Sequence, residues 1–258
     1  MVIAEGLQPR EQARFALLSP RQHTGSTMSD QQPVIVFAIF PGVTQLDFTA
    51  PHQVFSMLPG AEVIVASTAG GTIESSGLTF AGLRRLADIP QCDVICVPGG
   101  YGATDIAAQD EDFLRELRRL AGTARYVTSV CRGSLTLAAA GLLRGKRAAS
   151  HWAWRDQLPR FGAISDPERV VRDGNVITGG GVTAGIDFAL TVVAELAGAE
   201  TAQAIQLQIE YAPAPPFDAG RPETAPPEVL ARLRERNAPG AARSLAFIEK
   251  AAARLAAG

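Results

Sequence analysis

The chain has 258 residues, 47% of them hydrophobic and 19% charged, with 24 basic against 26 acidic residues and a formal net charge of -2. That length can bury a sizeable core in one large domain or two small ones, and the composition is that of a globular protein rather than a disordered one. With no basic excess a nucleic-acid partner is not expected, and no apolar run reaches the ~18–20 residues that span a bilayer.

Residues 1–30 lack the continuous apolar core of a signal peptide, and Glu5, Pro9 and Glu11 speak against a transit peptide. A natural-looking start stands at Met28, so 1–30 is expected to be a flexible extension or an over-called start, and 31–258 the folded domain. "PVIVFAIF" (33–40) is short, apolar and β-branched, the pattern of a strand buried on both faces. "FTAPHQVFSML" (48–58) has helical spacing, with Pro51 in its first turn. A strand over 61–68 and a hairpin or excursion in "GGTIESSGLTFAG" follow. "CDVICVPGG" (92–100) is another buried strand ending in paired glycines.

The segment 110–122 reads as an amphipathic helix, acidic at its start and arginine-rich toward its end, in keeping with the helix dipole. A strand over 124–130 runs straight into Cys131, and a mostly apolar helix over 133–143 leaves it. "KRAAS" then "HWAWRDQLPRFG" reads as a short strand and a helix. "RVVRDGNVITGGG" carries the Asp-Gly signal of a hairpin. Helices are expected over 183–198, ending at Gly198, and over 199–211. Six prolines make 212–227 irregular, and two helices, about 227–237 and 240–256, close the chain. Strands alternating with helices predict a single α/β domain, a mostly parallel sheet with helices on both faces. Ligands bind such sheets beyond the carboxyl ends of the strands. Three of those ends carry candidate chemistry: Asp47, Gly99–Gly100 and Cys131.

Cys131 at a strand-to-helix junction has the setting of a nucleophile elbow, and a helix starting at the thiol is expected to lower its pKa. The alternative is a buried structural cysteine. Asp47 is either the N-cap of the helix after it or a proton carrier facing the thiol. Gly99 and Gly100 form a plain turn or an oxyanion-binding pair of N–H groups, to which the Arg132 amide adds a donor. His151 is a packing residue or a catalytic base. His52 belongs to a helix. Trp152 and Trp154 line a pocket or fill the core. The glycines of "TGGGVTAG" (178–185) suit close backbone approach beside the site, without the order of a P-loop or dinucleotide fingerprint. Cys92 and Cys96 read as small buried hydrophobes facing one way rather than as metal ligands. Three cysteines in all form no disulfide framework, which suits a reducing, cytoplasmic compartment.

"FPGVTQLDFTAP", "DVICVPGG", "ARYVTSVC", "AAGLLRGKRA", "HWAW", "VVRDGNVITGGGVTAGIDFAL" and "QLQIEYAPAPPFDAG" together resemble the ThiJ/PfpI superfamily, and within it the isonitrile hydratase branch. The resemblance covers about 33–258. It implies a flavodoxin-like, class I glutamine amidotransferase-like fold and a homodimer whose interface includes the proline-rich segment. It also implies hydration of an isonitrile to an N-substituted formamide without metal or organic cofactor. The cysteine matching Cys131 forms a thioimidate, and the aspartate matching Asp47 handles protons and water. Arg132 departs from the threonine common after the nucleophile in that branch. Two other functions are implied by related branches: a transcription-regulator domain, and glyoxalase/deglycase or redox-sensing chemistry. The first needs a DNA-binding module that the ~60 residues after Gly198 do not supply. The second usually carries glutamate near the position of Asp47.

Overall fold

The computed structural model describes residues 32–257. The expected extension over 1–30 lies outside them. The apolar run at the start becomes β1 (Val34–Ala38), buried from its second residue onward. It is flanked on both sides by parallel partners, β2 (Glu62–Ser67) and β5 (Val94–Val97). β5 pairs in parallel with β6 (Tyr126–Val130), and β6 with β10 (Val176–Gly179). On the other side β4 (Leu78–Arg85) lies parallel to β2. Each edge is closed by an antiparallel hairpin partner, β3 (Gly71–Ser75) on β4 and β9 (Val170–Asp173) on β10. The eight-stranded order is β3-β4-β2-β1-β5-β6-β10-β9. β5 is wholly apolar because both its faces are covered, whereas β4, near an edge, exposes most of its side chains. A separate two-stranded ribbon joins β7 (Arg147–Ala148) and β8 (Ile164–Ser165).

The helices on the main sheet begin with α1 (Leu46–Phe55) and the short α2 (Tyr101–Asp105). In α3 (Glu111–Ala121) the Asp110 carboxylate caps the N–H groups of Asp112 and Phe113, while Phe113, Leu114, Leu117 and Leu120 form the buried stripe. α4 (Gly133–Ala139) is buried along its whole length. α5 (Ala184–Ala197) packs on α1 through an edge-to-face pair of Phe55 and Phe188, ring centroids 6.0 Å apart. α6 (Ala199–Gln208) follows at once. Cys92 and Cys96 are buried, and burial pushes both thiols up to about 12.

Two expectations are corrected. No α-helix opens at His151; residues 151–154 form a turn, and a 3-10 helix runs from Arg155 to Phe161. The two C-terminal helices are one, α7 (Pro227–Ala257), which carries Pro239 inside it. A proline removes one helical hydrogen bond, but Pro239 and Glu235 are exposed, so water can serve the freed carbonyl. Beyond it Ser244, Ile248 and Ala251 are buried and anchor the helix.

The crossing of α4 over the end of β5 depends on Gly133, where a Cβ would lie 2.0 Å from the Val97 carbonyl oxygen. Gly133→Ala is expected to cost about 1–3 kcal/mol by overpacking, a fall of several degrees in Tm. Gly220, where a Cβ would meet nothing within 4 Å, is the control: Gly220→Ala should leave thermal denaturation unchanged.

Candidate active site

β6 delivers Cys131 to the sheet's carboxyl edge with φ +59°, a left-handed conformation that a non-glycine residue holds at a cost of about 1–3 kcal/mol. Its surroundings fix it there. The Cys131 N–H donates to the Gly179 carbonyl at 3.0 Å. The Cys131 carbonyl accepts from two hydroxyls, Ser134 Oγ at 3.2 Å and Ser150 Oγ at 3.1 Å. The glycine-rich segment before α5 thus makes the close backbone approach its composition suggests.

Asp47 is fully buried in the first turn of α1. It is not the N-cap; Gln45 holds that position, and the Asp47 side chain turns toward the sheet instead. Its Oδ2 accepts the Gly99 N–H at 2.9 Å, and the carboxyl is electrostatically coupled to the neighbouring Cys131 thiol. Its Oδ1 is buried and has no hydrogen-bond partner. A Cβ on Gly99 would lie 2.5 Å from the Arg132 nitrogen, 2.7 Å from Asp47 Oδ2 and 2.8 Å from Cys131 Cβ. Only glycine lets thiol, carboxyl and strand end meet at this spacing.

The electrostatics follow from that crowding. Burial raises Asp47 to about 7, against the lowering effect of the Gly99 and Cys131 hydrogen bonds. Burial, then the neighbouring Asp47 charge, pushes Cys131 well up, while the Arg132 N–H at the sulfur works the other way. Burial and the neighbouring carboxylate thus work against the lowering expected from the helix. α4 offers seven residues of dipole, and desolvation beside a carboxylate outweighs them. Both shifts resist two negative charges side by side.

Gly99 is a second correction: its N–H is spent on Asp47 and is not free for an oxyanion. Gly100, at φ +113°, lines a cavity of about 610 Å³ that also reaches Cys131, Arg132 and His151. His151 stands in that wall and not on the sulfur; its Nδ1 accepts the Ala153 N–H at 3.3 Å. Burial and the Arg132 charge lower it to about 4, so it is neutral at physiological pH. Both tryptophans line the cavity, and the Trp154 ring lies under the buried Arg132 guanidinium at 4.1 Å. His52 sits on α1, its ring nitrogen 3.2 Å from Ser56 Oγ.

Sequence reading missed the cavity's far wall. Tyr101 and, from α7, Leu233, Arg234, Asn237 and Ala241 complete it. No local pattern marks the α7 residues, which reach the site from about a hundred positions beyond Cys131. Among the described residues, no cluster of three or more His, Cys, Asp or Glu side chains could hold a metal ion, and no helix is long and apolar enough to cross a membrane.

The DJ-1/PfpI family model matches residues 33–195. The isonitrile hydratase of Pseudomonas putida is 53% identical over 222 residues, 86% of this chain and 97% of the relative. The crystal structure of a ThiJ/PfpI family protein from Pseudomonas syringae matches with a TM-score of 0.81 at 39% identity, over 89% of this chain and 97% of that one. Drosophila melanogaster DJ-1beta matches with a TM-score of 0.64 at 26% identity, over 71% of this chain and all of that one (100%). The sheet, the strained cysteine at its edge and these similarities converge: the chain belongs to the DJ-1/PfpI family.

Proposed function

We propose that the protein hydrates organic isonitriles to N-substituted formamides, with Cys131 as nucleophile and Asp47 as the proton carrier. The observation that carries this reading is the 53% identity to an isonitrile hydratase over 86% of this chain and 97% of that relative. A thiol that lines a cavity, with a buried carboxyl behind it whose pKa is raised to about 7, supports the reading.

The thiol is protonated at rest. As the Cys131 sulfur bonds to the terminal isonitrile carbon, the ionised Asp47 takes the S–H proton and passes it to that carbon. The C–N triple bond becomes a double bond, giving an enzyme-bound thioimidate. Water then adds to the thioimidate carbon, and one of its protons passes through Asp47 to the nitrogen. The C–S bond breaks, the water's second proton returns to sulfur, and N-substituted formamide leaves. The net change is addition of one water. The Arg132 amide, aimed at the sulfur, favours the thiolate as it leaves; Gly100 contacts substrate from the cavity wall. In this reading the protein works in the cytoplasm as a homodimer on a small molecule, with no metal, organic cofactor or nucleic acid. Sedimentation showing a monomer at working concentrations would remove the dimer.

Incubation with an alkyl isonitrile should yield the formamide, and intact-protein mass spectrometry of a quenched reaction should show a transient adduct on Cys131. Cys131→Ala should fold, form no adduct and give no turnover; persistent turnover rejects the mechanism.

Asp47→Asn should lower kcat by about 10²-fold or more. In the native enzyme kcat/KM should rise with pH through about 7, as Asp47 ionises. A flat profile across that range would remove Asp47 as the base.

Stability should show the opposite trend. Because folding raises the Asp47 pKa, the folded state retains a proton that the unfolded chain loses at lower pH. The Asp47 contribution is therefore complete below the ordinary carboxylate pKa and is lost as pH rises toward about 7. Asp47→Asn should flatten the stability curve in that window, as read by urea denaturation at several pH values.

A further inference from the structure

Arg132 is an unusual wall for a site that handles neutral isonitriles. The residue is buried, 4% exposed, yet it lines the cavity beside the nucleophile. Its guanidinium carbon lies 4.9 Å from the Tyr101 ring centroid and 4.1 Å from that of Trp154. Aromatic contacts support a cation but leave its N–H groups, which lie in the guanidinium plane, to find acceptors elsewhere. Few are supplied. Nη2 donates to the neutral hydroxyl of Thr104. The nearest carboxylate oxygen, Asp105 Oδ1, is 3.8 Å away, beyond a hydrogen bond. Asp105 is also engaged elsewhere: Oδ1 accepts from Thr104 Oγ1 and Ser244 Oγ, both at 2.8 Å, and Oδ2 accepts from Arg243 Nε at 3.3 Å. Arg132 Nε is buried and has no partner. A buried cation so incompletely paired is costly unless a ligand completes it.

A second cation faces the same space. Arg234 lines the cavity from α7, where its guanidinium carbon is 5.9 Å from the Trp152 ring centroid. Among the described residues it makes no ion pair. Asp156 is the single carboxylate among the lining residues, set against these two arginines. The cavity, at about 610 Å³, has room for a hydrocarbon arm and a charged end group.

We infer that the site selects isonitriles bearing a carboxylate, with Arg132 receiving the carboxylate and Arg234 adding positive potential from α7. This specificity rests on the isonitrile reading above. A carboxylate offers two acceptor oxygens to the guanidinium's forked donors, which completes the charge pairing of the buried cation. The isonitrile end then lies toward Cys131, a short chain away.

The test compares short isocyanoalkanoates with their methyl esters and with plain alkyl isonitriles on the native full-length protein. The carboxylates should show kcat/KM about tenfold or more above the esters, the scale of a charge-assisted hydrogen bond. The N-formyl amino acid expected as product should inhibit competitively where its methyl ester does not. Arg132→Met should abolish the carboxylate-over-ester ratio, and Arg234→Gln should reduce it at a site far from the elbow, which covers the case where the first variant does not fold. Esters turned over as well as or better than carboxylates would overturn the inference and leave the hydratase standing. No turnover and no Cys131 adduct with any isonitrile would instead remove the hydratase reading itself.

Discussion

The site depends on one contact: a carboxyl and a thiol pressed together out of water around a residue with no side chain. Asp47 comes from α1, Cys131 from the end of β6, and Gly99 from the end of β5. Parallel pairing of β1, β5 and β6 sets those three ends side by side. The backbone strain at Cys131 is sustained because three hydrogen bonds, from separate parts of the chain, hold both its amide and its carbonyl. The same burial that fixes the geometry sets the proton affinities, so structure and acid–base behaviour have a single cause.

Much of this architecture was legible in the sequence, for identifiable reasons. β1 and β5 read as strands because burial on both faces makes them short apolar runs, whereas β6 is equally buried but carries Thr128 and Ser129. The hairpin at β9 and β10 is marked by its turn, with Gly174 at φ +63°. α3 announces itself by its cap and its apolar stripe. What failed were local rules overruled by surroundings. Pro239 reads as a break between helices, but an exposed carbonyl tolerates the missing bond and the helix runs on. The segment at His151 reads as a helix start because aromatic and apolar residues recur there, yet they are placed by the cavity they line.

The candidate site was legible in part. The junction at Cys131 and the aspartate in "QLDFTAP" are local signals, and the structure brings them together. The proton affinity of the thiol was not, because a helix dipole is visible in sequence and desolvation by distant residues is not. Gly99 shows the same limit: a glycine pair after a strand suggests free amides, but whether an amide is free depends on a carboxylate 52 positions earlier. Arg132 was visible as an oddity; its aromatic contacts and the orphaned Nε needed three dimensions.

The cavity has a divided origin. Its chemical floor comes from the geometry of sheet ends and elbow, while α7, after an irregular proline-rich stretch, contributes much of the opposite wall. The floor cannot vary without disturbing the strained cysteine, whereas the exposed first half of α7 packs little and carries Leu233, Arg234 and Asn237. The lining thereby falls into two parts: Arg132 shares the elbow with Cys131, whereas Leu233, Arg234 and Asn237 stand on a segment whose replacement would leave the strained cysteine untouched.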